Sequence, residues 1–518
     1  MIKENKIPKH WKMASLVDDL PFIKTGVLEY EGTKKYYSTG SIKSYSITEE
    51  GEYSFKTKPS RANRIGKKGD VLQARMKNTQ KAVLINSNLE GQLFSTGFFQ
   101  IRGIENMLSS KYIYYYLTSS TFNQIKDELC SGSTQSALND ENAKKIFIPI
   151  SPYSEQIKIV SKLEELFSEI ENGINDLNSS LLQLQVYKQS VLKWAFDGTL
   201  TNKKIKEGEL PKSWKWVKLQ EIAKYISDGD HQAPPKAETG IPFITISNVN
   251  KSNNKIDFTN TFKVSTEYYL GLKENRKPKK GDVLYTVTGS FGIPIIIDYE
   301  KDFCFQRHIG LIRPINTINQ KWLFYLLQSP QIFNQAKETV TGTAQKTLSL
   351  GSLRNFDVLY CDYHEQIVIV KEIEKKLSIA QKMEESLLHT LSQAEALKQS
   401  ILNKAFSGQL ISQVASEETG TQLIKKIKEV KVKILREEKE KLKLYLNKNK
   451  KMPEKLKSII EILTESTKPV ASKTLWKTSV HKKDIDSFYA QLKVLIDEGK
   501  IRETVRNGKE TFIELIVN

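Results

Sequence analysis

Several loops of this 518-residue chain combine basic, amide and hydroxyl side chains beside glycine. Arginine, lysine and asparagine can donate hydrogen bonds to base edges or phosphates, so such loops have the chemistry to bind nucleic acid. Two of the loops lie at residues 60–64 and 75–78, and three lie later in the chain, at residues 228–232, 288–292 and 306–308. For any single residue, an ordinary role in a turn or on the surface is the alternative.

Residues for catalysis are not evident in the sequence. His231 and His308 have the chemistry of general bases, but the sequence places no nucleophile beside them. Motifs that bind a methyl donor, a flipped base or ATP are missing. Cys130, Cys304 and Cys361 are too far apart to indicate a disulfide framework or a zinc site. The sequence therefore predicts a non-catalytic protein with no cofactor and no metal.

The elements that would position these loops occur twice. The sequence EQIKIV at residues 155–160 returns as EQIVIV at residues 365–370, and segment 187–200 returns as 397–410, each 210 residues later. A repeat of this length is too long for a solenoid unit. It predicts two copies of a whole domain with its connector, folded around a pseudo-twofold axis.

The long stretches before the two connectors predict two mixed α/β domains, each with short strands and one closing helix. The closing helices are predicted over residues 111–129 and 320–338. The motif KKGDVL at residues 67–72 recurs at 279–284 and is interpreted as a structural turn that leads into a strand. Between such shared anchors the residues differ, so we expect one fold with two different surfaces.

The connectors themselves predict two long helices of a coiled coil. Apolar residues follow the 3-4 spacing of a seam, and both copies share one register because 210 is thirty heptads. Both place a lysine at the same seam position, Lys188 and Lys398, and both end at a glycine, Gly198 or Gly408, suited to the left-handed conformation. We expect an antiparallel helix pair about 60 Å long that acts as a ruler between the two variable domains.

The net charge of +19 is unevenly distributed along the chain. Residues 1–154 and 201–364 each carry seven more basic than acidic side chains, and residues 411–518 carry eight more, whereas the two helical repeats carry no excess. A polyanion attracts such surfaces by counterion release. A solvated lysine-rich surface would give the same total, but confinement of the charge to the variable domains and the tail favours nucleic acid.

The length of the chain suits three or four domains. No run of 18 apolar residues occurs, and residues 1–6 lack the apolar core of a signal peptide. We therefore expect a soluble, cytoplasmic protein with no membrane contact.

The layout resembles the specificity subunit of a type I restriction-modification system. The resemblance covers about residues 1–412. It rests on the duplicated Glu-Gln-Ile helices, on the GSTQ and GTAQ loops before them at residues 132–135 and 342–345, on DGDH at 228–231 with GIPFI at 240–244, and on TGSFG at 288–292 with FQRHIG at 305–310.

This resemblance implies that the variable domains are target recognition domains, each of which reads one half of a split, asymmetric site in double-stranded DNA. It also implies that the helical regions set the gap and bind two methyltransferase subunits, and that two motor-endonuclease subunits complete the restriction complex. Adenine methylation and restriction would then belong to the partners. The alternative is a sequence-independent nucleic-acid-binding or coiled-coil scaffold protein, which predicts steep salt dependence without sequence preference.

An α+β chain of six segments is thus predicted, with a winged-helix-like C-terminal domain inferred from helices that end in an Asn-Gly hairpin. The segments are target recognition domain 1 (1–152), helical region 1 (153–200), target recognition domain 2 (201–362), helical region 2 (363–412), a basic helical linker (413–452) and the winged-helix-like domain (453–518). The first and third segments are called the first and second variable domains below.

Fourteen residues are predicted to bind DNA. They are Arg61, Arg64, Arg75, Lys77, Asn78 and Gln135 in the first variable domain, and Asp230, His231, Gln232, Thr288, Ser290, Arg307, Gln345 and Lys346 in the second. The recognised bases do not follow from these residues, because contacts depend on loop geometry and DNA shape.

Overall fold

The structure, a computed structural model, divides into two compact units. Unit 1 contains Met1–Glu164 and Gln399–Asn518, and unit 2 contains Glu165–Lys398. The structure describes the chain except for residues 1–6, 44–45, 133–135, 203, 206–208, 343–345, 413–417, 452–456, 467, 507–509 and 517–518.

The first variable domain lies in unit 1 and is mixed α/β. Its elements, and the long helix that follows, are β1 (Lys12–Ser15), β2 (Phe22–Ile23), β3 (Lys34–Tyr37), β4 (Ile42–Lys43), β5 (Ser46–Ile47), β6 (Gly51–Tyr53), β7 (Ala62–Ile65), β8 (Asp70–Ala74), β9 (Ala82–Leu84), β10 (Leu93–Ser95), β11 (Phe98–Arg102), α1 (Ser110–Thr118), α2 (Ser120–Glu128), α3 (Asp140–Ala143), β12 (Phe147–Ile150) and α4 (Tyr153–Phe196). Two four-stranded sheets, β2-β11-β8-β9 and β6-β3-β10-β7, form its body, and β1 pairs with β12. All five residues of β8 are buried, which places this strand in the core.

The second variable domain lies in unit 2 and repeats this plan. Its elements, and the helix that follows, are β13 (Lys215–Lys218), β14 (Ala223–Asp228), β15 (Ile241–Ile244), β16 (Val249–Asn250), β17 (Lys255–Ile256), β18 (Phe262–Val264), α5 (Thr266–Gly271), β19 (Val283–Thr286), β20 (Pro294–Ile296), β21 (Cys304–Phe305), β22 (Ile309–Pro314), α6 (Gln320–Gln328), α7 (Pro330–Thr339), α8 (Leu350–Arg354), β23 (Asp357–Tyr360) and α9 (Tyr363–Phe406). The sheet β14-β22-β19-β20 has the strand order of β2-β11-β8-β9, and β13 pairs with β23 as β1 does with β12. The predicted internal repeat is therefore confirmed as a repeat of the fold.

The KKGDVL motif forms the same structural turn in both domains, as predicted. Gly69 takes a φ of +85°, in the left-handed region that favours glycine. The next residue, Asp70, is fully buried and accepts a hydrogen bond from Arg102 Nε at 2.7 Å. Asp282 and Arg313 repeat this pair at 2.6 Å in the second domain.

The prediction of one closing helix in each variable domain was wrong, because each domain has two helices there. The breaks fall at Ser119 and Ser329, whose backbones are extended, with ψ angles of 147° and 149°. Each serine side chain accepts a backbone N–H of the following helix, which stabilises a new N-terminus at that point. Pro330 then occupies the first position of α7, where its missing N–H has no cost.

The two long helices, α4 and α9, have 44 residues each, and every predicted seam position is buried or half-buried. Within unit 2 the seam lysines make ion pairs across the helix pair. Lys188 Nζ lies 2.6 Å from Glu384 Oε2, and Lys398 Nζ lies 3.6 Å from Glu171 Oε1. Because the later residue of α4 pairs with the earlier residue of α9, the helices run antiparallel, as predicted.

The Lys188–Glu384 pair gives a first testable prediction. We expect Lys188→Glu alone, or Glu384→Lys alone, to lower stability, and the double reversal to restore it. The coupling should be only about 0.5–1 kcal/mol, since both side chains are about one third exposed and solvent screens the pair. Thermal unfolding of the four proteins measures it, and a double variant no more stable than either single one would contradict the pairing.

The remaining elements follow the second long helix. They are α10 (Gly420–Lys451), α11 (Ile459–Glu465), β24 (Val470–Ala471), α12 (Ser472–Thr478), α13 (Ile485–Asp497), β25 (Ile501–Arg506) and β26 (Glu510–Leu515). α10 packs against the first variable domain, where Ile427 is fully buried and Lys428 Nζ lies 2.7 Å from Asp19 Oδ1. The order helix, strand, helix, helix and antiparallel strand pair after it is that of a winged helix, as predicted, although the short α12 was not foreseen. The predicted Asn-Gly turn at residues 507–508 lies outside the described residues.

Candidate nucleic-acid interface

Four loops meet at one edge of the sheet β14-β22-β19-β20 in the second variable domain. β14 and β19 end at this edge, and β20 and β22 begin there. Backbone hydrogen bonds join neighbouring loops: Gly289 N–H donates to Lys346 O at 3.0 Å, and Arg307 N–H donates to Asp230 O at 3.1 Å. The structure thus brings three sequence-predicted loops together. The second loop edge is defined as residues 228–232, 288–292, 306–308 and 346–347.

Polar side chains that can donate hydrogen bonds are exposed along the second loop edge. His231, Gln232, Arg307 and Lys346 are all exposed, and His231 Nε2 lies 2.8 Å from Asp228 Oδ2. Arginine can pair with guanine or phosphate through two parallel hydrogen bonds, and lysine can bind phosphate as a point charge. This edge therefore has donors for both base and backbone contacts.

Asp230 joins its loop of the second loop edge to two residues that lie outside this edge. Its carboxylate accepts hydrogen bonds from Arg276 Nη1 at 2.9 Å and from the Tyr268 hydroxyl, and it is only 13% exposed. Burial, and then the bond to Asp230, raises the pKa of the Tyr268 hydroxyl, so that it remains a donor. These contacts favour a positioning role for Asp230, and its predicted contact with DNA stays a prediction.

Close packing also explains the glycine beside Asp230. A Cβ at Gly229 would lie 1.9 Å from the carbonyl oxygen of Phe305, so only glycine fits between the two strands here. Thr288 is buried and bridges to Thr347, and the carbonyl oxygen of Ser290 accepts the Thr286 hydroxyl at 2.6 Å. These residues shape the loop, and a direct role of Thr288 or Ser290 at DNA stays a prediction.

The corresponding edge of the first variable domain has the same backbone connections. Arg75 N–H donates to Gly97 O at 2.9 Å, and Lys77 N–H donates to Ser136 O at 3.0 Å. The first bond corresponds to the one that Val287 N–H donates to His308 O at 2.9 Å, and the second to the one between Gly289 and Lys346. The first loop edge is defined as residues 60–61, 75–81, 95–97 and 136–138.

Exposed side chains on the first loop edge differ from those on the second. Arg61, Lys77 and Asn78 are exposed, and the carbonyl oxygen of Arg61 accepts Thr96 N–H at 2.8 Å, which joins this residue to the edge. Asn78 takes a φ of +57°, a conformation that asparagine tolerates better than most residues. The same scaffold therefore presents two different sets of donors.

Two of the predicted arginines have hydrogen-bond partners inside the first variable domain. Arg64 is 2% exposed and donates from Nη1 to Ile23 O at 2.9 Å; burial, and then repulsion from Arg75, lowers its pKa to about 10. Arg75 donates to two backbone carbonyls, those of Phe98 and Leu138, and forms an ion pair with Asp140 at 2.7 Å. These partners favour structural roles for both arginines, and their contact with DNA stays a prediction.

Comparison with known proteins identifies the family to which this duplicated fold belongs. Residues 8–178 and 211–391 match the family described as the type I restriction modification DNA specificity domain. The chain belongs to this family. Recognition of DNA sequence is the function that the family supports, and the alternative of a sequence-independent binder or scaffold is not favoured.

Individual relatives carry the same description. The chain is 27% identical over 321 residues to the type I restriction enzyme EcoBI specificity subunit of Escherichia coli, covering 58% of this chain and 67% of the relative. It is 24% identical over 428 residues to the MjaVIII specificity subunit of Methanocaldococcus jannaschii, covering 78% and 94%. A solved chain from a study of complex assembly in a type I R-M system shares the fold, with a TM-score of 0.61, 21% identity and coverage of 78% and 99%.

The glutamine of the Glu-Gln-Ile repeat, one of the motifs on which the resemblance to this family rests, has a structural role. Gln156 and Gln366 are fully buried at the start of α4 and α9. Gln366 accepts a hydrogen bond from Asn319 N–H at 2.7 Å and donates to the carbonyl of Cys361 at 2.8 Å. Gln156 makes the equivalent bonds in the first domain, beginning with Ser109 N–H at 2.9 Å. Each glutamine thus fixes a long helix to the variable domain before it.

Sequence reasoning missed one residue that supports the first loop edge from α2. Lys126 on α2 is fully buried and contacts the loop after β8. Its signal was its position four residues after Phe122, on the apolar face of the helix, where a lysine needs an internal partner. Gln135 and Gln345 lie outside the described residues.

Metal sites and membrane-spanning helices are both absent from the described ranges. No cluster of three or more His, Cys, Asp or Glu side chains in them has the arrangement of a metal site. Nor is any helix in this part of the chain long and apolar enough to cross a membrane.

Proposed function

We propose that the chain is the specificity subunit of a type I restriction-modification complex and reads an asymmetric, bipartite site in double-stranded DNA. Each loop edge would read one half of the site. The observation that supports this best is that both edges share two backbone hydrogen bonds, donated by Arg75 and Lys77 in the first domain and by Val287 and Gly289 in the second, but expose different donors. Those donors are Arg61, Lys77 and Asn78 on the first edge, and His231, Gln232, Arg307 and Lys346 on the second.

The partners in this proposal are two methyltransferase subunits, with two motor-endonuclease subunits in the full restriction complex. The curated relatives are named as specificity subunits of type I restriction enzymes, which supports this assignment. Exposed apolar side chains on the long helices, such as Leu182, Val186 and Met383, supply surface for such partners. The chain itself would be non-catalytic, directing adenine methylation or restriction by its partners.

The proposal includes the boundaries of the six segments predicted from the sequence. It further includes a cytoplasmic location, in which the complex would reach its DNA substrate. It also includes a ruler role for the helix pair, whose antiparallel contacts within unit 2 support a fixed spacing.

A pair of matched arginine variants tests the assignment of half-sites. We expect Arg307→Ala to weaken discrimination in one half-site only, and Arg61→Ala to weaken it in the other half-site only. If each arginine contacts a base, the loss should be about 1–3 kcal/mol per site. Competition binding of the assembled methyltransferase to DNA mutated in either half measures this.

The arginine variants also separate base contacts from phosphate contacts. Replacing an arginine that binds phosphate would weaken binding to all sequences and lower the salt dependence by about one unit of slope. If either single variant loses base discrimination in both half-sites, the proposal that each loop edge reads one half-site is contradicted.

A further inference from the structure

The first loop edge is held from beneath by a buried ammonium group. Lys126 on α2 has a side chain with 0% exposure. Its Nζ donates to Thr79 O at 2.6 Å and to Met76 O at 3.1 Å, two carbonyls of the loop between β8 and β9. Asp127 Oδ1 lies 3.3 Å from the same nitrogen. One side chain thus ties both sides of this loop to the helix.

The neighbouring aspartate extends this anchor to the exposed tip of the loop. Asp127 Oδ1 accepts the backbone N–H of Asn78 at 3.1 Å, and Asn78 has a positive φ. A buried ammonium is tolerated only when it is well paired, and burial lowers the pKa of Lys126. Moving the loop would leave this charge without its carbonyls, so the loop has one favoured position.

The second variable domain holds the equivalent loop in a different way. Seven residues after its capping serine, α7 has the buried Ala336 where α2 has Lys126. The loop between β19 and β20 is instead held by Phe291, whose ring stacks on Phe333 of α7 with centroids 6.0 Å apart and planes within 9°. Apolar stacking here replaces the ammonium of the first domain.

We propose that Lys126 is a positioning residue that determines the base preference of the first half-site, because it fixes the loop that carries Lys77 and Asn78. Phe333 has the same role for the second half-site. This inference rests on the proposed function, since it assigns a specificity role within the same loop edges. Neither residue needs to touch DNA.

Lys126→Met tests this role, since methionine keeps the length of the side chain and removes the ammonium. The full chain is expressed with its methyltransferase subunit, and methylated adenines are mapped by single-molecule sequencing. We expect preference for the correct bases in the first half-site to fall roughly tenfold, the size of one lost base contact. The second half-site should keep its sequence, which shows in the same experiment that the chain is folded and assembled.

Phe333→Ala is the matched variant in the second domain. It removes the stacked ring, and we expect it to relax the second half-site while the first keeps its sequence. The two variants together predict a reciprocal pattern that general destabilisation cannot produce, because destabilisation lowers methylation at both halves alike.

The outcomes are distinct. An unchanged first half-site in Lys126→Met would overturn the inference. If that variant abolishes methylation altogether, Asp127→Ala decides, because it removes the counter-charge 3.3 Å from Lys126 Nζ together with the bond to Asn78 and so loosens the same anchor. Relaxation of the first half-site then supports the inference, and an unchanged motif overturns it. If the unaltered chain gives no bipartite motif, the proposed function itself fails and this inference falls with it.

Discussion

Exchanging residues 201–360 for the matching domain of another family member will replace one half of the recognised DNA site and leave the other half unchanged. The physical reason is that every described residue of the second loop edge lies between residues 228 and 347, and backbone hydrogen bonds within unit 2 join neighbouring loops of this edge. The first loop edge belongs to unit 1 and contributes no residue to it. Mapping of methylated adenines before and after the exchange measures the result.

The exchange has to preserve the contacts through which the second variable domain packs against the long helices. Phe196 at the end of α4 packs edge-on against Trp322 at a centroid distance of 5.8 Å, and Gln366 bonds to the N-cap residue Asn319. A donor domain should therefore carry an aromatic residue and a capping residue at these positions. A change in both half-sites would contradict the model in which each variable domain reads one half-site. The reciprocal exchange of residues 7–150 serves as the control and should alter only the other half-site.

Asp282→Ala is expected to cost about 3–5 kcal/mol of stability, because it breaks a buried ion pair. Asp282 is 1% exposed and accepts hydrogen bonds from Lys279 N–H at 2.8 Å and from Arg313 Nε and Nη2, both at 2.6 Å. The alanine would leave the largely buried Arg313 guanidinium without its counter-charge. Hydrogen bonds to Asp282 raise the pKa of Arg313, and the alanine removes them. An arginine stays charged near neutral pH even without a partner, so the unpaired charge persists.

An exposed ion pair in the same domain provides the control for Asp282. Asp357 Oδ1 lies 2.7 Å from Lys218 Nζ, but the aspartate side chain is 55% exposed. Asp357→Ala should therefore cost less than about 1 kcal/mol. Thermal unfolding of the full chain compares the two, and equal losses from Asp282→Ala and Asp357→Ala would show that the buried turn is not what stabilises the sheet.

Much of the scaffold could be predicted because repetition and spacing report on backbone geometry. Gly198 and Gly408 end their helices with φ of +85° and +74°, as a left-handed C-terminal residue requires. The seam lysines Lys188 and Lys398 were identified by register alone, and each has an acidic partner on the facing helix. Heptad spacing and glycine placement are local constraints, so one sequence suffices to detect them.

The candidate site was harder to predict because burial depends on tertiary contacts. Arg64, Arg75 and Arg307 look alike in sequence, yet the first two have internal partners and only the third is exposed. Nothing local to residues 60–78 indicates that Ile23 and Asp140 supply those partners. The break at Ser119 was overlooked for a related reason, since serine is tolerated inside helices and its capping role depends on the fold.

Single-molecule sequencing of DNA from cells that express the methyltransferase subunit, with and without this chain, tests the central claim most directly. We predict a split, asymmetric motif of methylated adenines that appears only when the chain is present. Both half-sites and the gap would be obtained at once. Methylation that is absent in both cultures, or that is the same with and without the chain, would contradict the account.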